Sequence, residues 1–231
     1  MADTGSYFTP ELFDFLRELD INNNRDWFLP NKGRYEQVVR DSVLAFVADV
    51  APGLRRISAH LVADPKPVGG SMFRIYRDTR LSRDKRPYKT AVKIAFKHSE
   101  VPRGQTDPGN FLELRPGGGW AAGGVYMAEP AGLNRIRDAI IADPAGWQSI
   151  KERPGFEPMF GAPKGAYKRV PAPYPADHEF ADDLRRRDFV WFRHFSETEV
   201  CASGFMDRYL DTCELASPFN GFLARALGLE W

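Results

Sequence analysis

The sequence predicts an α+β fold: a single domain over residues 1–231, built as a mixed, mostly antiparallel sheet flanked by helices. Three observations predict it. Apolar residues recur at helical spacing toward both ends of the chain, alternate with polar ones at period two in the middle, and the links between alternating stretches are short. With 17 Phe and 5 Trp among 231 residues, the chain has material for a large core. Each such side chain stabilises by about 1.5–3 kcal/mol when fully buried.

The first helix is announced by Thr9 as a capping residue, Pro10 at the first helical position, and Leu12, Phe13, Phe15, Leu16 and Leu19 along one face. Asn22, Asn23 and Asn24 then provide turn chemistry, since asparagine tolerates left-handed backbone and bonds locally. Pro30 marks an interruption after Trp27 and Phe28. An amphipathic helix follows over residues 32–50, with Pro52-Gly53 as its end. After the loop 64–70 the period changes. Phe73 and Ile75 alternate with Arg74 and Tyr76, and Val92, Ile94 and Phe96 alternate with Lys93 and Lys97, so two strands with a buried face are expected. Phe111, Leu112 and Leu114 mark a third strand and 120–127 a fourth, joined by a turn at glycines 117–119. Helical spacing returns at Leu133, Ile136, Ile140 and Ile141, then Trp147 and Ile150. Residues 153–175, rich in Pro and Gly, are expected to wrap the surface. Asp177 is placed as the cap of a short helix ending at Arg185 to Arg187, whose charges would complement that helix end. A strand over 189–195 and two helices, 204–216 and 218–227, complete the expected order.

No apolar stretch is long enough to span a bilayer, and no basic-then-apolar leader opens the chain. Cys201 and Cys213 are too few for a disulfide framework, so reduced thiols and a cytoplasmic setting are expected. His60, His98, His178 and His194 have no metal-ligand spacing, no metal is expected, and His98 is placed at a solvated strand end. No phosphate-loop, dinucleotide or nucleophile-elbow motif occurs, and nothing indicates a cofactor.

Charge is more telling than its total. The chain is +1 overall, yet residues 71–97 hold nine basic side chains against Asp78 and Asp84, an excess of +7 that leaves the remainder at −6. Within it, the string Arg74-Ile75-Tyr76-Arg77-Asp78-Thr79-Arg80-Leu81-Ser82-Arg83-Asp84-Lys85-Arg86-Pro87-Tyr88-Lys89-Thr90 resembles the signature of the domain of unknown function family 2461. Asn23 to Phe28, Gly123 to Tyr126 and Leu133 to Ile140 extend the resemblance over most of the chain. Leu81 and Ala122 depart from the pattern, where Phe and Gly are usual. The resemblance implies membership of a family without bringing an activity.

Two readings of the basic segment stand side by side. In one it is a charged hairpin held by internal Arg–Asp pairs and otherwise solvated. In the other it gathers cations for a small phosphate- or carboxylate-bearing ligand, with Arg74, Arg77, Arg80, Lys85, Tyr88 and Lys89 as contacts and Asp84 orienting them. Asp78 is then the candidate general base, and whether catalysis occurs at all is left open. Asp78 with Glu113 and Arg115 also has the composition of some metal-dependent nucleases, a pairing common enough to carry little weight. A nucleic-acid accessory protein and a protein-interaction module using the basic hairpin are the alternatives; a membrane partner is not expected.

Overall fold

The N-terminal helix α1, Pro10–Ile21, buries Leu12, Phe13, Phe15, Leu16 and Leu19, the face its spacing marks out. Thr9 occupies the capping position, although its side chain makes no capping bond. In this computed structural model, which describes residues 5–102, 107–161 and 165–231, the next helix starts earlier than the apolar pattern implies. Asn24 caps α2, Arg25–Tyr35, by accepting a hydrogen bond from the Trp27 backbone at 2.9 Å. A π-helical turn, Glu36–Asp41, joins α2 to α3, Ser42–Ile57. Pro30 and Pro52 therefore sit inside helices instead of ending them. Gly53 has a different task. A Cβ there would collide with Leu210, so glycine permits close packing against the C-terminal helix.

Five strands form one sheet in sequential order: β1, Leu61–Val62; β2, Val92–His98; β3, Gly109–Arg115; β4, Gly118–Val125; and β5, Phe189–Ser196. The α+β expectation holds, and every strand pairing among the described residues is antiparallel. Period-two alternation is borne out in β2, where Val92, Ile94 and Phe96 are buried, in phase with Leu112 and Leu114 of β3 across the ladder. Ala121, Val125, Phe189, Trp191 and Phe195 extend this inner face. Against it packs α9, Phe205–Ala226, one helix where two were expected, because Pro218 lies within it. In the contact layer Trp191 Nε1 donates to Asn220 Oδ1 at 3.1 Å, and Asn220 Nδ2 donates to Asn110 Oδ1 at 2.9 Å.

The expected strand at 73–76 is not a ladder. Met72 bridges Ile94 and Tyr76 bridges Tyr88 as isolated contacts. Met72 and Ile75 are buried while Phe73 is 43% exposed, so the inward residues are three apart and Phe73 leaves the core it was assigned to. The segment runs beside β2 only briefly before departing.

Helices α4, Pro130–Ala142, and α5, Pro144–Lys151, follow the predicted helical stretch, with Asp143 capping α5. Residues 153–175 only partly wrap the surface. Within them Phe156 and the turn α6, Glu157–Phe160, put Phe156, Met159 and Phe160 into the core, while 162–164 lie outside the described residues. Asp177 does not cap α7, Ala181–Leu184, whose N-cap position is Phe180. The arginines after it are not simply a solvated helix end either. Arg186 is buried against Asp183 at 2.9 Å and donates to the Gly161 carbonyl at 2.5 Å. A capping box on Ser196 and Glu199 starts α8, Glu197–Val200. Among the described residues no helix is long and apolar enough to cross a membrane.

Candidate anion site between an arm and the sheet

Before entering β2, the chain doubles back as an arm. The Arg77 backbone N–H bonds to the Pro87 carbonyl at 2.9 Å, and that of Lys89 to the Ile75 carbonyl at 2.7 Å, leaving 78–86 as the tip. The root is fastened to the helical layer. Tyr88 is buried and stacks on Phe28 with centroids 4.0 Å apart. Asn23 clasps the Tyr88 backbone from both sides, accepting from its N–H at 3.0 Å and donating to its carbonyl at 3.1 Å. The asparagine turn thus serves the arm directly. Burial raises the Tyr88 phenol above its usual pKa.

At the tip the cations are organised by the two aspartates. Asp84 accepts from Arg77 and from the forked Arg86 guanidinium, and Arg86 reaches on to Asp20 of α1 at 2.8 Å. Hydrogen bonds from Arg86 and then Arg77 hold the Asp84 carboxyl well below the usual carboxylate range. Asp78 takes a two-pronged grip from Arg80 at 3.0 and 2.6 Å, which lowers its pKa as well. That direction is opposite to what a base working near neutral pH needs. Lys85 donates to the Thr79 carbonyl at 2.9 Å.

Between arm and sheet lies an open hollow of about 470 Å³. Of the candidate residues, Arg77, Asp78, Asp84, Tyr88 and Lys89 line it; Arg80 and Lys85 do not, and Arg74 borders a neighbouring hollow of about 570 Å³. Arg86, Thr90, Ala91, Lys93 and Glu113 complete the lining; Arg86 and Lys93 were not among the candidates, and Glu113 was weighed only beside Asp78 and Arg115. For Lys93 and Glu113 the signal lies in the strand register. Lys93 and Glu113 stand directly opposite each other in the β2–β3 ladder, out of phase with the buried leucines. Glu113 is buried and pairs with Lys93 at 3.3 Å and Arg115 at 2.5 Å. Lys89 donates to the Arg74 carbonyl at 2.7 Å and stands 5.7 Å from the Phe73 ring centre. Burial, then the positive charges of Lys93 and Arg74, push its pKa down.

A family model described as a conserved hypothetical protein (DUF2461) matches residues 11–222. The chain belongs to this family. Both the arm and the sheet face of this DUF2461 protein fall inside the matched span. Comparisons with curated proteins and with solved structures find no match.

One further residue was read differently from sequence. His98 is buried, not solvated: its Nε2 lies 2.7 Å from the Glu230 carbonyl and its Nδ1 accepts from the Glu100 backbone at 3.3 Å. Ligand atoms of His60, His98 and Glu100 lie within 4.8 Å of one another, but both His98 nitrogens already have partners. Cys201 and Cys213 are both free thiols.

Proposed function

We propose that this protein binds a small phosphate- or carboxylate-bearing ligand in the hollow between the arm and the sheet. The observation that carries this reading is Lys89. It is partly desolvated, crowded by Lys93 and Arg74, and among the described residues it has a carbonyl partner but no carboxylate. Lys93 is balanced by Glu113, but Lys89 has no acid of its own, and an incoming anion would relieve its crowding. Arg77, fixed by Asp84, offers a guanidinium edge to the same space. Asp78 is assigned no chemical step; binding is the function the geometry supports.

The test is thermal denaturation against inorganic phosphate, sugar phosphates and dicarboxylates. A ligand at about a hundred times its dissociation constant stabilises by about 2.7 kcal/mol, and Tm moves roughly 2–4 °C per kcal/mol for a chain of this size. Lys89→Met is expected to abolish the shift and Arg77→Ala to reduce it. Because the anion prefers charged Lys89, affinity should weaken as pH rises through that residue's depressed pKa. A shift that survives Lys89→Met, or no shift with any anion, defeats the proposal.

A further inference from the structure

The face of the sheet opposite the core carries an aromatic ribbon. Strand registers put Glu113, Trp120 and His194 in one row and Phe111, Ala122 and Phe192 in the next. Ring centroids step across the strands: Phe73 to Phe111 6.3 Å, Phe111 to Trp120 5.1 Å, Trp120 to Phe192 5.5 Å. The ribbon is reachable at both ends, since Phe73 is 43% and Phe192 37% exposed. Three open hollows border it, of about 580, 570 and 470 Å³, lined respectively by Trp120 and Phe192, by Phe73 and Arg74, and by Lys89 and Lys93.

Charge identifies the occupant. Arg74, Lys89, Lys93, Lys97 and Arg115 edge the ribbon, with Arg115 6.0 Å from the Trp120 ring centre and Lys89 5.7 Å from that of Phe73. Glu113 among them is committed to Lys93 and Arg115, and so holds two of these cations in place beside Trp120. Lysine, three of these five cations, is depleted in protein–protein interfaces, and a drug-like ligand wants an enclosed cavity. Flat apolar surfaces in a row, interleaved with cations, match bases and phosphates in alternation. The acidic remainder of the chain, at −6, disfavours a duplex spread over the whole body and leaves one basic face for a single strand.

We propose that this face binds single-stranded nucleic acid. Bases stack on Phe73, Phe111, Trp120 and Phe192, while backbone phosphates meet Lys89, Lys93, Lys97 and Arg115. The proposal rests on the anion site at Lys89 and Lys93, where the hollow takes one phosphate of the strand.

Fluorescence anisotropy with labelled oligothymidylate and oligouridylate of about twelve nucleotides tests it. Both are expected to bind, with affinity falling steeply as salt rises. A preference between them assigns DNA or RNA. Trp120→Ala and, separately, the surface change Phe192→Ala should each weaken binding about fivefold or more, while Trp120→Phe, which keeps a ring, should lose less. Unchanged melting temperatures show that the variants fold. Absence of binding, or salt-dependent binding indifferent to both alanine variants, overturns the proposal. If phosphate still stabilises the protein and Lys89→Met still removes that effect, the anion site survives such a result. If the ring variants matter and Lys89→Met does not, the platform stands and the anion site falls.

Discussion

Asp183 and Asp84 do the same job in different surroundings. Each carboxylate holds two cations, but Asp183 is 2% exposed in the core and Asp84 37% exposed on the arm. Asp183 accepts from Arg186 at 2.9 Å, Lys151 at 2.7 Å and Trp147 Nε1 at 2.8 Å, tying α5 to α7. Burial pushes its pKa up, and the three donors together outweigh burial and bring it down. On the arm, Arg86 and Arg77 lower Asp84 with little burial to oppose them. The lesson concerns what an ion pair is for. In the core a broken pair strands a charge, whereas on the arm it only frees a guanidinium whose direction was set.

The largest expected effect breaks the core member. Asp183→Ala leaves Arg186 buried without a counter-charge and should cost about 3–5 kcal/mol, a fall in Tm on the order of 10 °C by calorimetry. Acid sharpens the same point. With a folded pKa below the ordinary value of about 3.9, Asp183 contributes stability that is fully present above that value. That contribution is lost as pH falls through the folded pKa. The gap between wild type and Asp183→Ala in urea midpoint should therefore narrow from pH 7 to about pH 3. Asn23→Ala removes both bonds to the Tyr88 backbone and should cost about 1 kcal/mol, with faster amide exchange at Tyr88 and Lys89 as the more direct readout. The smallest effect on stability belongs to Asp84→Asn. Its melting temperature should stay close to wild type, while phosphate affinity changes because Arg77 is no longer held. A large loss of stability there would erase the contrast.

Much of this was legible in sequence, for particular reasons. β2 to β5 and the inner faces of α1 and α3 announce themselves because burial on one side imposes a strict period. Prolines misled at positions 30, 52 and 218, where flanking packing sustains a helix across a residue that costs it a hydrogen bond. Phe73 misled for the opposite reason, as a large apolar side chain on a segment that pairs only in isolated bridges. The positions of Arg77, Asp84, Tyr88 and Lys89 around one space followed from the basic string, but the far wall did not. Lys93 and Glu113 come from the sheet, and their partnership needs the strand register. Arg86 was passed over because its second carboxylate, Asp20, belongs to a distant helix.

That register has its own lock. Asn220 of α9 reaches Asn110 on β3 and Trp191 on β5 at once, a polar bridge inside an apolar layer. Sliding β3 by a single residue would turn Asn110 toward water and Phe111 toward the helices, stranding the amide of Asn220. The hidden amides therefore decide which way the sheet is worn, and keep its aromatic lining on the outside.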